Sequence, residues 1–356
     1  MARARLTINI DAIVSNWRDL DALSAPRVET AAVLKADAYG LGAAAVAPAL
    51  AAAGARSFFV ALAEEGAALR AILGPGPSIR VLGGLMPGDA ALCREADLAP
   101  CLNSADQIAD FAKHLPGHAC AVQLDTGMHR LGLSPAELAA SAETLARIRP
   151  DLVLSHLACA DAPAHPRNQA QRAAFLAMTA ALPGIRRSLA ATPGTLLGPE
   201  YHFDLTRPGI GLFGGLPFAG ARPVVTLSLP VIQTREVAAG APVGYGAAWI
   251  ASRPSRIATV SGGYADGLLR ALGTGGIPLY AGEVPCPLIG RVSMDLLTVD
   301  ITDLPGVPSH LDILNPVQGI DALAAAAGTI GYEILTSLGD RYERVYKGAA
   351  PRLDPA

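Results

Sequence analysis

Residues 31–40 read Ala-Ala-Val-Leu-Lys-Ala-Asp-Ala-Tyr-Gly, a short apolar run that stops at Lys35 and is followed at once by a turn. A short apolar run bounded by polar residues and glycine is typical of a buried strand. Downstream, as far as about residue 210, similar runs alternate with stretches rich in alanine, leucine and glutamate. This stretch is therefore predicted to be the first strand of an α/β domain, with a lysine at its C-terminal end.

The alternation predicts eight parallel strands joined mostly by helical crossovers, which is the pattern of an N-terminal (β/α)8 barrel of the TIM type. A doubly wound parallel sheet has the same local alternation and is the alternative. Two helix starts carry capping signals, at Asn103 or Ser104 and at Ser134 with Pro135. The predicted strands cover about residues 31–34, 57–62, 79–82, 98–102, 119–124, 152–156, 187–190 and 203–206, and the helices about 43–53, 64–73, 88–95, 104–115, 135–148 and 167–182.

After about residue 222 the helical periodicity largely disappears and short runs of valine, threonine, isoleucine, proline and glycine take its place. Such runs with turns every ten residues or so are typical of antiparallel sheets. We therefore predict a barrel domain at 1–222 and a mainly antiparallel β domain at 223–356, with the first ten or so residues pairing with the β domain. Its predicted strands are about 224–229, 231–237, 256–260, 278–280, 288–291 and 296–300, with one short helix at about 319–327.

Composition excludes several classes of protein. With 28 basic and 31 acidic residues, the net charge of −3 gives no electrostatic reason to bind nucleic acid or an acidic membrane. The five cysteines show no CxxC and no regular spacing, so we expect reduced thiols in a cytoplasmic protein and no zinc site. The N-terminus lacks the apolar core of a signal peptide. The longest uncharged run, residues 38–55, is mostly alanine interrupted by glycines and a proline, which argues against a membrane span.

Chemistry that needs a primary amine has few candidates, because the chain has only three lysines, Lys35, Lys113 and Lys347. In a barrel, the C-terminal strand ends form the active-site face. A lysine among apolar neighbours at that face tends toward a lowered pKa, which a nucleophilic amine needs. Lys113 and Lys347 are typical of solvated charges. A solvated loop lysine is the alternative interpretation of Lys35.

Other predicted strand ends also carry polar residues, namely Arg130, His156, Thr192 and Arg207. Residues 209–211, Gly-Ile-Gly, together with Thr192 offer backbone amides and a hydroxyl that suit a phosphate. Each residue has a structural alternative, since a histidine on an apolar strand is often a satisfied core group and Arg-Pro-Gly can be a turn. Their joint placement on the face that carries the lysine favours a functional site.

Seven segments, in order and spread over nearly the whole chain, resemble the pyridoxal-phosphate-dependent alanine racemases of fold type III. Residues 32–40 resemble that family's cofactor-lysine segment. The resemblance implies a barrel followed by a β domain, pyridoxal 5'-phosphate as the cofactor, and a homodimer whose active sites take residues from both chains. The other segments are residues 124–132, 198–204, 207–210, 243–246, Gly-Tyr-Ala-Asp-Gly at 263–267 and Gly-Arg-Val-Ser-Met-Asp at 290–295.

The resemblance also implies a role for individual residues. Lys35 corresponds to the lysine that binds the cofactor and serves as one base, and Tyr264 to the opposing base, supplied by the partner subunit. Arg207 corresponds to the arginine that faces the pyridine nitrogen, and His156 to the histidine beside the ring. The remaining positions are Tyr39, Thr192, Gly209, Ile210 and Tyr342 toward the phosphate, and Arg130 and Met294 toward the substrate.

Two positions depart from the family's pattern. Many members carry a carbamylated lysine two residues before Asp-Thr-Gly, where this chain has Gln123. We therefore predict no carbamate, and either a looser Arg130 or a bound anion. The family's phosphate-contacting tyrosine aligns near Asp340, whose charge would repel a phosphate, so either Tyr342 substitutes from a shifted position or the contact is lost.

The leading hypothesis is interconversion of L- and D-alanine, supplying D-alanine for the cell wall. One alternative is a racemase of serine, or of a broader set of amino acids, on the same frame. A pyridoxal-phosphate-dependent decarboxylase is another, but residues 125–130 and 263–267 argue against it. A carrier that binds the cofactor without turnover would have no use for a second domain or for Tyr264 and Arg207.

Overall fold

The computed structural model describes residues 3–24, 26–274 and 276–348, which form two compact units. The barrel unit comprises Ile13–Phe213 and Pro217–Ala221, and the β unit comprises residues 3–12, Gly214–Leu216 and residues 222–348, with 275 outside the described residues. The last residues of the predicted β domain, 349–356, lie outside the described residues. Within the described ranges, no helix has both the length and the apolar character that crossing a bilayer requires.

The barrel unit is built on parallel strands that follow one another in chain order. The strand Ser57–Val60 is buried on both faces, which is why its apolar residues run together instead of alternating with polar ones. A short eighth strand, Leu205–Thr206, pairs with Glu29–Thr30, and the Arg207 amide donates to the Ala190 carbonyl at 2.8 Å, so the sheet closes. The other strands are Ala32–Val33, Ser57–Val60, Ser78–Val81, Ala99–Leu102, Ala121–Gln123, Leu152–Leu154 and Arg186–Ser188.

Helices connect these strands, and two of them begin at serines that cap them. The Ser104 hydroxyl accepts the Gln107 amide at 3.2 Å, and Ser134 forms a reciprocal capping box with Glu137. The helix predicted over 135–148 is divided at Ser141 into two shorter helices. The helices of the barrel unit, together with one that enters it from the β unit, are Ile10–Leu23, Ala43–Ala53, Ala63–Leu73, Asp89–Glu95, Ala105–His114, Pro135–Ala140, Ala142–Ile148, Arg167–Thr179 and Thr192–Leu197.

The β unit contains a sheet that curls into a ring. The strand Val225–Val237 pairs with both His310–Leu314 and Ser255–Ser261, and the remaining strands complete the circuit in antiparallel fashion. Arg5–Asn9 extends the sheet antiparallel to Val225–Val237 and parallel to Glu343–Lys347. The other elements are strands Pro278–Ala281, Val284–Ile289 and Leu296–Asp300, a hairpin of Pro242–Val243 with Trp249–Ile250, and helices Ile320–Ala327 and Gly331–Ser337.

The predicted fold class, a barrel followed by a mainly antiparallel β domain, is confirmed, and the doubly wound alternative is wrong. The two runs predicted at 224–229 and 231–237 form one strand, because a register shift between Val231 and Gln233 absorbs the irregularity. The strand predicted at 288–291 lies earlier, at Val284–Ile289. The sequence interpretation missed strands His310–Leu314 and Glu343–Lys347, and helices Ile10–Leu23 and Gly331–Ser337.

Candidate active site

The basic residues predicted at the strand ends of the barrel unit lie close enough to act on one another electrostatically. Lys35 follows the strand Ala32–Val33, His156 follows Leu152–Leu154 and Arg207 follows Leu205–Thr206. The charges of Lys35, Arg130 and Arg207 each lower the pKa of His156, and Arg130 also lowers that of Lys35. The carboxyl ends of the strands therefore bring these four residues together at one end of the barrel.

Lys35 is partly buried, and its pKa is lowered from the ordinary value. Burial is the largest cause, because it penalises the charged ammonium, and repulsion from Arg130 adds to it. The carboxylate of Glu65 acts in the opposite direction. A larger share of the neutral amine is therefore present near neutral pH than for a solvated lysine, which suits attack on a carbonyl group.

The four residues after Lys35 form a left-handed turn. Residues 36–39 have φ between 53° and 58°, although none of them is glycine. This conformation costs about 1–2 kcal/mol per residue, so surrounding contacts must impose it. The Ala38 amide donates to the Leu34 carbonyl at 2.9 Å, and the Ala43 amide donates to the Asp37 carboxylate at 2.7 Å. The turn carries Tyr39 into the interior, where it is 5% exposed and packs against Phe213 at 4.7 Å between ring centroids.

Arg207 is a buried guanidinium, and no carboxylate of the described residues pairs with it. Its Nη2 donates to the Ser155 carbonyl at 2.6 Å and its Nη1 donates to the Ser188 hydroxyl. Burial lowers the pKa of Arg207 to about 10 and is also the largest cause that lowers the pKa of His156 to about 3. At neutral pH the arginine is therefore charged while the histidine is neutral.

Thr192 and Gly209 form a compact polar cradle next to Tyr39. The Thr192 hydroxyl oxygen accepts the amides of Gly209 and Gly211 at 3.0 and 3.2 Å. A side chain at Gly209 would place its Cβ 2.2 Å from the Tyr39 hydroxyl oxygen, so any larger residue would displace the buried tyrosine ring. Ile210 follows and begins the short helix Ile210–Phe213. The Thr192 hydroxyl, which accepts both amides and keeps its own hydrogen to donate, thus lies near the Tyr39 hydroxyl in a cradle whose members carry no carboxylate, which suits an anion such as a phosphate.

Arg130 is exposed and makes no hydrogen bond or ion pair with any residue in the described ranges. The preceding loop is fixed by Asp125, whose carboxylate accepts the amides of Gly127, Met128 and His129 at 2.9–3.1 Å. Gln123 donates from Nε2 to the Leu131 carbonyl at 3.5 Å. The loop is therefore ordered around Asp125, while the guanidinium of Arg130 is available to an external carboxylate.

Two adjoining loops of the β unit carry Tyr264 and Met294, whose side chains are 43% and 53% exposed. The Tyr264 amide donates to the Ser293 carbonyl at 3.1 Å, and a Cβ at Gly263 would lie 2.3 Å from the Met294 carbonyl oxygen. Only glycine allows this approach, so the spacing of the Gly-Tyr-Ala-Asp-Gly segment follows from the contact between the two loops.

Arg341 ties the same two loops together through their carboxylates. Its Nε and Nη2 donate to Asp266 at 2.6 and 2.8 Å, and its Nη1 donates to Asp295 at 2.8 Å. Tyr342, next in the chain, is buried, and its hydroxyl has no hydrogen-bond partner among the described residues. The two loops therefore form one ordered surface of the β unit that presents a tyrosine and a methionine to the outside.

Sequence reasoning missed Glu65, Asp266 and Arg341. An acidic residue in the first turn of a helix is a common pattern, so the sequence does not indicate that the Glu65 carboxylate bonds to the end of a neighbouring strand. Asp266 and Asp295 lie in the segments 263–267 and 290–295, but Arg341 is 46 residues beyond Asp295 and belongs to no such segment. Within the described ranges, no cluster of three or more histidine, cysteine or acidic side chains is arranged to hold a metal ion.

The chain is similar to alanine racemases over nearly its whole length. The family model for the N-terminal domain of alanine racemase matches residues 8–217, and that for the C-terminal domain matches residues 224–346. The alanine racemase of Cereibacter sphaeroides is 60% identical over 350 residues, covering 98% of this chain and 100% of that protein. That of Rhizobium meliloti is 46% identical over 373 residues, covering 98% of each.

Solved structures show the same likeness. A crystal structure of alanine racemase from Bartonella henselae, with covalently bound pyridoxal phosphate, has a TM-score of 0.92 and 39% identity, covering 98% of this chain and 100% of that one. The biosynthetic alanine racemase of Pseudomonas aeruginosa has a TM-score of 0.90 and 38% identity with the same coverage.

Proposed function

Because the chain belongs to the alanine racemase family and is an isomerase of that kind, we propose that it interconverts L- and D-alanine with pyridoxal 5'-phosphate and two bases, Lys35 and Tyr264. The observation that carries the proposal is Lys35, an amine of lowered pKa whose charge acts on His156 together with that of the buried, carboxylate-free guanidinium of Arg207. A solvated loop lysine would have neither property.

The residues of the barrel unit fit this cofactor, which presents an aldehyde, a phosphate and a ring nitrogen. Lys35 would hold the aldehyde carbon, and Arg207 would face the ring nitrogen with His156 beside the ring. The cradle supports the phosphate assignment, because it offers hydroxyl groups next to a glycine whose place a larger residue could take only by moving Tyr39. Its members are Tyr39, Thr192, Gly209 and Ile210. Tyr342, a residue of the β unit, is a further candidate for the phosphate from the family resemblance alone.

When bound, pyridoxal phosphate withdraws electrons from the Cα–H bond of the amino acid, which makes the α-proton removable. Racemisation requires that the proton leave from one face and that another arrive on the opposite face, so two bases are needed. Lys35 serves one face and Tyr264 the other. Arg207 is charged at neutral pH and does not give up its proton, so it would leave a ring nitrogen that it faces unprotonated. This limits electron withdrawal and disfavours side reactions.

Substrate binding falls to Arg130 and Met294 in this proposal. The Arg130 guanidinium is exposed and without a partner among the described residues, so it can bind the substrate's carboxylate in a bidentate manner. Gln123 supplies no negative charge to brace it, and we propose that this enzyme works without a carbamate. Tyr264 and Met294 would come from a second copy of the chain, acting in the cytoplasm on free alanine to supply the cell wall.

Borohydride trapping and deuterium exchange test the proposal together. Purified protein should be yellow, and borohydride should fix the cofactor to Lys35, as located by peptide mapping. L-alanine in D₂O should exchange its α-proton and yield both enantiomers, whereas the Lys35→Arg variant should do neither. Lys113→Arg, which changes an exposed lysine on another helix, is the matched control and should behave as the unaltered chain.

Labelling at Lys113 or Lys347 would overturn the assignment of Lys35. A protein that exchanges no α-proton of alanine, serine or any other small amino acid would not be a racemase. Exchange of serine at a rate comparable to alanine would replace the proposed substrate by a broader set.

A further inference from the structure

The left-handed turn at residues 36–39 begins at the amide of Ala36, directly after Lys35. The hydrogen bond from Ala38 to Leu34 closes the turn internally, and Asp37 caps its far end through Ala43. Neither hydrogen bond involves the Ala36 amide, so this amide at the start of the turn needs a hydrogen-bond acceptor from elsewhere in the fold. The orientation of Lys35 depends on this entry, because the two residues share a peptide unit.

The partner of the Ala36 amide is Glu65, the third residue of the helix Ala63–Leu73. One carboxylate oxygen of Glu65 accepts the Ala36 amide at 2.7 Å. The other accepts the amides of Ala61 and Leu62 at 2.7 and 3.2 Å, just beyond the strand Ser57–Val60. A single carboxylate therefore joins the carboxyl ends of two neighbouring barrel strands.

We infer that Glu65 is a positioning residue for cofactor binding: it fixes the entry to the left-handed turn and, through that turn, the placement of Lys35 and Tyr39. This inference rests on the proposed function, which assigns the two residues to the cofactor's aldehyde and phosphate. Lys35 and Tyr39 lie at the two ends of the turn. A shift of the backbone at Ala36 would therefore change the contacts of both residues with the cofactor at once. Ordinary capping of the helix would explain the bonds to Ala61 and Leu62 but not the bond to Ala36.

The electrostatic effect of Glu65 agrees with this placement. Its charge raises the pKa of Lys35, against the lowering by burial and by Arg130. The carboxylate is thus near the amine as well as bonded to the adjoining peptide, and its effect on the amine is opposite in sign to that of Arg130.

Glu65→Gln tests the inference with nearly unchanged side-chain size. Glutamine has one acceptor oxygen and a donor NH₂ group, so it cannot accept amides at both strand ends. In cofactor-free protein, hydrogen exchange at the amides of residues 36–39 should accelerate roughly tenfold or more, the loss expected for a bond to a charged acceptor. The dissociation constant for pyridoxal phosphate, measured by titration, should rise by roughly tenfold or more for the same reason.

Glu64→Gln is the matched control, since it removes the same charge one residue earlier, on an exposed side chain of the same helix. It should leave both measurements unchanged. Exchange in the distant strand Val225–Val237 reports whether each variant is folded, and Glu65→Asp, which keeps the charge but shortens the reach, serves as the second variant if the glutamine variant does not fold. The aspartate variant should also loosen the turn.

Three results distinguish a positioning role of Glu65 from simple helix capping and from a failure of the proposed function. If only amides 63–66 exchange faster while the turn and the cofactor titration are unchanged, Glu65 is a helix cap and the inference is wrong. If the turn loosens but the cofactor binds as before, the link between the turn and the cofactor is wrong. If the unaltered chain takes no cofactor at Lys35, the proposed function fails, while hydrogen exchange still decides whether Glu65 holds the turn.

Discussion

His156 illustrates how burial at the residue scale sets a protonation state. Its pKa is lowered to about 3, first by burial and then by the charges of Arg207, Arg130 and Lys35. An unfolded histidine titrates near 6.5. Between these two pH values the unfolded chain binds a proton at this position that the folded chain does not bind. The contribution of His156 therefore makes the folded state lose stability as the pH falls from about 6.5 toward 3.

His156→Asn is expected to weaken the acid sensitivity of the fold. In the unaltered chain, this one group should lower the free energy of unfolding by about 2 kcal/mol between pH 6.5 and 5, since each pH unit is worth about 1.4 kcal/mol. Urea unfolding of cofactor-free protein at these two pH values measures the difference, which should shrink by that amount in the variant. His114→Asn, at an exposed position, should keep the original difference. An unchanged pH dependence in His156→Asn would contradict the assigned cause.

At the scale of elements, hydrophobic periodicity and capping residues predicted the helices and strands whose formation depends on residues close in sequence. The helix Ala43–Ala53 has the predicted bounds, and the capping box at Ser134 lies where Ser-Pro-Ala-Glu indicated. The basic residues at the strand ends were found for the same reason, since a barrel brings the carboxyl ends of its strands to one face whatever lies between them. Pattern alone thus located the candidate site, although it assigned no chemistry to it without the family resemblance.

The features that sequence missed depend on contacts between distant segments. Residues 36–39 contain two alanines, an aspartate and a tyrosine, none of which signals a left-handed turn. The conformation is imposed in part by Glu65, which lies 29 residues beyond Ala36. Gly331–Ser337 begins with glycine and follows Ile320–Ala327 after three residues, so its start had no cap to reveal it.

The cradle can be tested as an element through Thr192→Val, which keeps the branched shape and removes the hydroxyl. The amides of Gly209 and Gly211 would lose their buried acceptor. We expect the free energy of unfolding to fall by about 2 kcal/mol, as for buried donors left unsatisfied, and pyridoxal phosphate to be lost faster on dialysis. Urea unfolding and residual cofactor absorbance measure the two effects.

Thr195→Val is the matched control for this change, since it lies in the same helix and is also buried. The Thr195 hydroxyl only donates to the Ala191 carbonyl, which still accepts the Thr195 amide at 2.9 Å. The control should therefore be close to the unaltered chain, and Thr192→Ser, which keeps the oxygen, should restore much of what valine loses. If Thr192→Val and Thr195→Val behave alike, the hydroxyl is not what holds the cradle.

At the scale of the whole molecule, the proposed bases belong to different units of the chain. Lys35 lies in the barrel unit, whereas Tyr264 and Met294 lie on exposed loops of the β unit. Exposed apolar side chains on an ordered surface are typical of an interaction site. In a symmetric dimer the same surface would serve both copies, so each active site would take Lys35 from one chain and Tyr264 from the other.

Pairing two inactive variants tests this sharing of active sites. Lys35→Ala and Tyr264→Phe chains, coexpressed with different tags, can be purified as mixed dimers. If the bases come from different chains, one site of the mixed dimer carries both changes and the other carries neither, so about half of the unaltered activity per dimer should return. Each variant purified alone should be nearly inactive, which is the control. If both bases came from one chain, every site of the mixed dimer would be damaged and no activity would return, because each chain lacks one of the two groups that must act on opposite faces of the substrate.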